Sequence, residues 1–312
     1  MIVNRSPVVS ICIPTYERPD ILKETLYSIV NQNIDINLFE ICISDDSRTN
    51  STKNMIETCF GTYSNIQYVK EDPMDGYLNL LNALKMGKGS FLKLHNDYSV
   101  FNEGSLRTLI SLVETENSES VIFFGLHNMR LPTGMTVCKT FDIFLNIITI
   151  WSTWSTSFGI WQKDFNKIMD SNFLPEKMFP HTSLLFSLNG KGKYIIDNSD
   201  YIKNIELNKK GGYNIPETFG IHYLNMIREL RYNKQITTKT YLKIKREILV
   251  FIGEWYFNVN YFKDKYTFSY DNWNEIIKKI WGVKGIVFIK TRYVVLFLKI
   301  KVKKIINSVN KI

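Results

Sequence analysis

Apolar and polar positions alternate along about the first 125 residues in blocks of two lengths. The short blocks are Val8 to Pro14, Phe39 to Ile43, Ile66 to Val69, Phe91 to Leu94 and Val121 to Phe124. Each is a nearly continuous apolar run bounded by turn-forming residues, the pattern of a strand buried on both faces. Between them lie longer stretches with a helical repeat. Leu22, Leu26, Ile29 and Val30 share one face, with Asp20 as a candidate N-cap. Thr52 to Phe60, Asn79 to Met86 and Ser105 to Glu114 read the same way, the second closed by Gly87-Lys88-Gly89. This alternation predicts an α/β fold with a mostly parallel sheet and helices on both faces. From Thr218 onward the pattern is helical, through Tyr241 to Tyr256, with no linker rich in Gly, Pro or Ser. A helical carboxyl-terminal appendage is expected, with the chain divided into 1–215 and 216–312.

Three polar clusters fall just past the predicted strands: Thr15 to Glu17, Asp45-Asp46, and His95-Asn96-Asp97. In open α/β sheets ligands bind beyond the carboxyl ends of the strands. Carboxylate and amide oxygens suit a hard divalent cation that also holds substrate phosphates. Asn96 and Asp97 equally suit the opening of a turn, and Asp45-Asp46 a solvated loop. No GxGxxG or GxxxxGK[ST] loop is present, so a bound nucleotide would have its phosphates neutralised by metal and side chains.

The chain has 312 residues, 45% hydrophobic and 14% aromatic, enough for a large core and inconsistent with a disordered chain. Cys12, Cys42, Cys59 and Cys138 show neither metal nor redox spacing and are expected as reduced thiols of a cytosolic protein. Neither a signal peptide nor an uninterrupted apolar run long enough to span a membrane is expected. Net charge is +9, but Ile276 to the end holds ten Lys or Arg and no acid, which leaves Met1 to Glu275 at 9 − 10 = −1. The basic character therefore belongs to the tail.

Residues 8 to about 110 resemble the amino-terminal half of family 2 glycosyltransferases of the GT-A fold. The resemblance is carried by VVSICIPTYERPDILKETLYSIVNQ, by FEICISDDSRTNST, and by the stretch from Gly76 through Asn82 to FLKLHNDYSV. It implies a nucleotide-diphosphate sugar as donor, held by Pro14, Thr15, Tyr16, Glu17, Asp46, Asn82 and Asn96. Within that set Thr15, Tyr16 and Glu17 would line the base and ribose pocket, and Asp46 would meet a ring N–H of the base. Asp97 would ligate Mg²⁺ or Mn²⁺ bridging the diphosphate. The sequence departs from the family at this point: where two or three acids are usual, only Asp97 remains, with an oxygen from Asn96 and a nitrogen from His95 to assist. A weaker metal site is expected.

The middle of the chain, IWSTWSTSFGIW from Ile150 to Trp161, reads as an antiparallel strand or as an aromatic platform for an acceptor sugar, with Trp151 and Trp154 as its best members. The family's catalytic base is an acid shortly before an apolar helix in this region. Here the matching stretch is Phe179-Pro180-His181-Thr182-Ser183, so His181 is the candidate base, or else caps that helix or orients a substrate, with Glu176 as the fallback. Lys209 to Tyr213 reads as a basic glycine turn, either a lid over the diphosphate or a surface turn. His222 reads as structural. Val283 to Ile312 mixes apolar clusters with Lys290, Arg292, Lys299, Lys301, Lys303 and Lys304, either adsorbing to an anionic membrane or packing on the body of the protein.

Taken with the resemblance, the chain is expected to be an inverting glycosyltransferase of surface glycan biosynthesis. It would act on a lipid-linked or polysaccharide acceptor, peripherally at the inner face of the plasma membrane. The alternatives are a non-catalytic sugar-nucleotide-binding relative, or a nucleic-acid-binding protein that uses the basic tail.

Overall fold

The computed structural model describes residues 6–126, 129–207 and 209–309, the side chains of 304, 305 and 307–309 excepted. The last three residues of the expected basic segment, and the Lys304 side chain, lie outside the described ones. The chain divides into two compact units, Met1–Glu206 and Leu207–Ile312, ahead of the 215/216 boundary expected from sequence.

In the first unit, strand and helix alternate as β1 (Val9–Thr15), α1 (Pro19–Val30), β2 (Phe39–Asp45), α2 (Ser51–Phe60), β3 (Ile66–Lys70), α3 (Gly76–Met86) and β4 (Phe91–Leu94). A short β5 (Ser99–Phe101), α4 (Ser105–Thr115), β6 (Ser120–Phe124), β7 (Gly134–Cys138) and α5 (Phe141–Ile148) follow. Two 3₁₀ turns, Thr149–Thr153 and Ser155–Ser157, lead to β8 (Gly159–Trp161), α6 (Gln162–Met169), α7 (Pro180–Ser187), β9 (Lys193–Asn198) and β10 (Ile202–Asn204).

The main sheet has the order β3-β2-β1-β4-β8, with β8 antiparallel to β4 and the other pairs parallel. Ile11, Cys12, Ile13, Ile41, Cys42 and Ile43 have no exposed surface, so both faces of β1 and β2 are covered. Register positions the strand ends. Val9 pairs with Phe39 and Thr15 with Asp45, whereas Cys12 pairs with Leu94. β4 therefore stops short of the end of β1, and the chain leaving it carries His95-Asn96-Asp97 past Thr15.

Three expectations are corrected. The strand at 120–124 does not join the main sheet; β6 pairs parallel with β9 in a separate three-stranded sheet, order β6-β9-β7. The stretch 150–161 is an extended strand only in its last three residues, because the 3₁₀ turns fold the rest back. Asp20 lies in the first turn of α1 rather than capping it; Arg18 is the N-cap residue and makes no side-chain cap bond.

The second unit contains β11 (Lys210–Asn214), α8 (Ile215–Glu217), a π-helical turn (Thr218–Tyr223), α9 (Leu224–Tyr232), α10 (Thr238–Tyr261), β12 (Tyr266–Ser269) and α11 (Trp273–Val309). The expected basic glycine turn is instead strand β11, paired parallel with β12 through Lys210–Tyr266 and Gly211–Thr267. His222 lies in the π turn. Gly282, at φ 69°, breaks α11 into two helical stretches. The second stretch lays Tyr293 and Phe297 against Tyr256, Phe257 and Tyr261 of α10.

Candidate active site

The carboxyl ends of β1, β2 and β4 are bonded into one polar network. The Thr15 hydroxyl donates to Asp97 Oδ2 at 2.9 Å. The Thr15 carbonyl accepts from the Asp46 N–H at 3.3 Å and from Asn79 Nδ2 at 3.2 Å. Asn79 Nδ2 also donates to Asp46 Oδ1 at 2.8 Å. Two carboxylates from strands separated by β1 thus converge on Thr15. Burial pushes the Asp97 carboxyl above its ordinary pKa, opposed by Arg18 and by the Thr15 hydroxyl. Burial also raises Asp46, with neighbouring Asp45 adding to the effect and Lys70 and Asn79 opposing it.

A second set of bonds fixes the loops around this network. Asp45, fully buried, accepts from the Ser47 N–H at 2.9 Å, from the Ser47 hydroxyl, from the Tyr68 hydroxyl at 2.8 Å and from Lys70. It is a structural carboxylate, and Asp46 is the member of the pair bonded into the Thr15 network. Glu17 adopts φ 51°, a left-handed conformation that turns the chain sharply after β1. Its carboxylate accepts from the Arg48 N–H at 2.7 Å and from the Thr49 N–H at 3.0 Å. The hydrogen bonds from Thr49 hold that carboxyl below its ordinary pKa. Glu17 thereby ties the β1 loop to the β2 loop. Pro14 is half-buried and Tyr16 is 44% exposed.

The remaining expected residues are distributed unevenly. Asn96 is beside Asp97, but its Oδ1 accepts from the Ser155 hydroxyl at 2.6 Å and its Nδ2 donates to the Tyr98 hydroxyl at 3.0 Å. The Ser155 bond brings the second 3₁₀ turn to the site. Next to it Trp151 and Trp154 meet edge-on with ring centres 4.7 Å apart, both half-buried. His95 is fully buried, stacked on Phe101, with its Nε2–H donated to the Ser99 carbonyl at 2.7 Å. Burial lowers its pKa to about 3. His181 is 5% exposed at the start of α7, and its Nε2–H donates to the Thr153 carbonyl at 2.9 Å. Burial lowers its pKa to about 4. With Thr182 donating to the Ser152 carbonyl at 3.0 Å, His181 pins α7 to the turn that carries Trp151 and Trp154.

Glu176 is half-buried in the loop before α7, its Oε1 accepting from the Met178 N–H at 3.2 Å. Its neighbour Lys177 reaches Asp75 at 3.6 Å and lies over Tyr77, which sets this loop beside the start of α3. Asn82, expected on the nucleotide, contacts Met74 Sδ at 3.5 Å; Asn79, one turn earlier on α3, is the residue bonded to Asp46. Sequence reading also missed Arg18. Its Nη1 donates to Asp97 Oδ1 at 3.1 Å and its guanidinium lies 5.8 Å from the Tyr98 ring centre. A signal was present: Arg18 sits inside the quoted TYERP stretch, and Asn79 is three residues before Asn82, on the same helix face.

The donor set fits a divalent cation poorly. Both Asp97 oxygens are engaged, one by Thr15 and one by a guanidinium that already neutralises the charge. The Asn96 oxygen is taken by Ser155 and the bonded nitrogen of His95 by Ser99. Among the described residues no group of three or more His, Cys, Asp or Glu is placed to hold a metal. A hard cation needs several oxygen ligands, and of the two carboxylates here Asp97 is already paired with a positive side chain and Asp46 is bonded to Asn79.

Comparison with known proteins places this geometry. The relatives include the abequosyltransferase RfbV of Salmonella typhimurium, 47% identical over 60 residues, which are 18% of this chain and 17% of the relative. They also include the Campylobacter jejuni GalNAc(5)-diNAcBac-PP-undecaprenol beta-1,3-glucosyltransferase, 30% identical over 109 residues, 33% of this chain and 34% of the relative. The match thus spans about a sixth and about a third of these curated relatives. Among solved structures, S. aureus TarS 1–349 in complex with UDP-GlcNAc superposes with TM-score 0.59 at 17% identity, covering 77% of this chain and 71% of that one. The Pyrobaculum calidifontis mannosyltransferase PcManGT, in complex with GDP-Man and Mn²⁺, gives 0.50 at 14% identity, covering 73% and 65%. At these identities the superpositions establish the shared fold, the α/β GT-A architecture. The sequence model described as glycosyl transferase family 2 matches residues 10–180, more than half of the 312, and the chain belongs to that family.

Proposed function

We propose that this chain transfers a sugar from a nucleoside-diphosphate donor to a hydroxyl of a lipid-linked or polysaccharide acceptor in surface glycan assembly, with inversion at the anomeric carbon. The observation that carries the reading is the Thr15–Asp46–Asn79–Asp97 network, which bonds three strand ends together in a family 2 chain. The donor class is supported by the superposed structures that hold UDP-GlcNAc and GDP-Man. The lipid-linked acceptor is supported by the relative named for an undecaprenol-linked substrate.

In this reaction the acceptor oxygen attacks the anomeric carbon as the bond from that carbon to the β-phosphate oxygen breaks. The nucleoside diphosphate departs with the electron pair, and the acceptor proton passes to a base. We assign the base to Glu176. His181 has one nitrogen bonded to Thr153 and the other sealed from solvent, which suits holding the Trp151–Trp154 turn. Asp46 accepts a ring N–H of the donor's nucleobase, and the two tryptophans stack on the acceptor sugar.

The second stretch of α11 would hold the enzyme at an anionic membrane. Val295, Leu298, Val302 and Ile306 form an exposed apolar stripe beside Lys299 and Lys303. Among the described residues no helix is long and apolar enough to cross a membrane.

The test is incubation of the protein with UDP-, dTDP-, GDP- and CDP-sugars and a lipid-diphosphate acceptor, with Asp46→Ala as control. Transfer or donor hydrolysis with one nucleotide class, lost in Asp46→Ala, is expected. Neither turnover nor binding with any donor would remove the enzymatic reading.

A further inference from the structure

We infer that the Arg18 guanidinium, rather than a divalent cation, supplies the positive charge that meets the donor's diphosphate, so that nucleoside diphosphates bind this chain without Mg²⁺ or Mn²⁺. The inference rests on the donor class proposed above and names how that site holds its phosphates. It begins with the backbone. Glu17 at φ 51° reverses the chain after β1, and Arg18 becomes the N-cap residue of α1. From there its side chain returns over the end of β4, with Nη1 3.1 Å from Asp97 Oδ1.

The pair is asymmetric. The Asp97 side chain is 4% exposed and the Arg18 side chain 42%. The carboxylate forms the buried floor, and the arginine above it is partly exposed, bonded to it through Nη1. A guanidinium carries five N–H donors in a fixed fork, and one hydrogen bond to Asp97 leaves others for phosphate oxygens in the bidentate geometry that arginine favours. A cation entering here would have either to displace Arg18 from a buried carboxylate or to share the site with its charge. Both outcomes are electrostatically unfavourable beside a carboxylate as buried as Asp97. The residues next to Asp97, His95, Asn96 and Tyr98, bring no further carboxylate to the pair.

The experiment is calorimetric titration of UDP, dTDP, GDP and CDP, and of the corresponding nucleosides, in EDTA and in Mn²⁺. At least one diphosphate is expected to bind with affinities within roughly threefold of each other in the two buffers, less than the tenfold that 1.4 kcal/mol represents. Arg18→Gln should weaken that diphosphate by roughly 10- to 100-fold, the worth of a charged hydrogen bond, while its nucleoside binds as before. Arg18→Lys, which keeps the charge but not the fork, should fall between the two. A drop of more than tenfold on removing Mn²⁺ from the unmodified protein would overturn the inference and leave the donor class standing. An equal loss for nucleoside and diphosphate in Arg18→Gln would also overturn it, since the residue would then only shape the pocket. If no diphosphate binds in either buffer, the donor class itself falls and takes this inference with it.

Discussion

Lys93 shows how far a single side chain can depart from its ordinary chemistry. It is fully buried in β4, bonded to the Leu94 carbonyl at 2.9 Å and to the Thr156 carbonyl, with its ammonium over the Phe124 ring. Burial lowers its pKa to about 7, and only Cys12 pulls the other way. The unfolded chain holds that proton up to about pH 10.4. Between these values the unfolded state binds more protons than the folded one, so stability rises with pH, by up to about 1.4 kcal/mol per unit. Below pH 7 both states are protonated, the slope vanishes, and the folded state bears the full cost of the buried charge. Urea unfolding at pH 6 to 9 should show this rise in the native protein and its loss in Lys93→Met; equal slopes in the two would refute it.

Residue chemistry also separates the two base candidates. Glu176→Gln should lower kcat by roughly 10²- to 10⁴-fold, as loss of a general base does. His181→Gln should mainly raise KM for the acceptor, and the acidic limb of the pH–rate profile should keep its position. A limb near pH 4 that vanishes in His181→Gln would return the role to the imidazole, whose pKa is lowered to about 4. At this scale the site was partly legible. Thr15, Asp46 and Asp97 are polar residues directly after apolar runs, which is a local signal. Arg18 stands in a legible stretch, but its aim at Asp97 was not legible, because that depends on the left-handed turn at Glu17, a conformation that a glutamate does not advertise.

At the scale of elements, position rather than chemistry decides what a residue can be. Gly89, just before β4, shows this at the end of the sheet away from the site. A Cβ there would stand 2.8 Å from the Ser10 N and 2.9 Å from the Val9 carbonyl carbon, both backbone atoms. The Gly89 N–H donates to the Ser10 hydroxyl at 2.8 Å and to Glu40 Oε1 at 3.1 Å, so the close approach is part of how β4 docks on β1. Gly89→Ala should cost about 1–3 kcal/mol, the usual penalty for forcing a group into a packed site. Thermal unfolding should shift down by roughly 3–10 °C, with kcat per folded molecule unchanged. An unshifted midpoint would mean that the β1–β4 contact is softer than its geometry. The first four strands were legible because each is short, apolar and followed by a helical repeat, which leaves parallel pairing as the economical arrangement. β6 carries the same pattern but pairs with β9, some seventy residues later. Apolar runs specify that a strand is buried, not which sheet buries it. The turns at 149–157 were missed for a related reason: aromatic and β-branched residues there favour extended chain locally, and hydrogen bonds to Asn96, Lys93 and His181 hold the backbone otherwise.

For the molecule as a whole, the governing fact is the segregation of charge. The last 37 residues hold ten basic side chains and no acid, while the rest sums to −1. The second stretch of α11 has two apolar faces. One, with Ile289, Tyr293 and Phe297, packs on α10, where Arg292 pairs with Glu254 and is removed from the charges expected to meet a membrane. The other, Val295, Leu298, Val302 and Ile306, is exposed, with Lys290, Lys299, Lys301 and Lys303 exposed along the same stretch. Packing on α10 therefore accounts for one face only. A basic residue near an anionic bilayer contributes about 1 kcal/mol, so these four lysines together with the apolar stripe suffice for reversible adsorption. The protein should co-sediment with vesicles containing a third phosphatidylglycerol and not with pure phosphatidylcholine. Binding should weaken steeply between 0.1 and 0.5 M salt as the screening length falls below about 10 Å. Lys299→Glu with Lys303→Glu should reduce partitioning by well over tenfold, since two attractions of about 1 kcal/mol each become repulsions. Leu298→Asp with Val302→Asp should do the same through the apolar term. In both variants transfer to a water-soluble acceptor should continue at the native rate. Equal sedimentation with neutral and anionic vesicles would rule out the electrostatic part of the argument. Native-level binding of the aspartate variant would rule out the stripe. Salt-dependent retention on duplex or single-stranded nucleic acid, without vesicle binding, would reassign the tail to a different partner altogether.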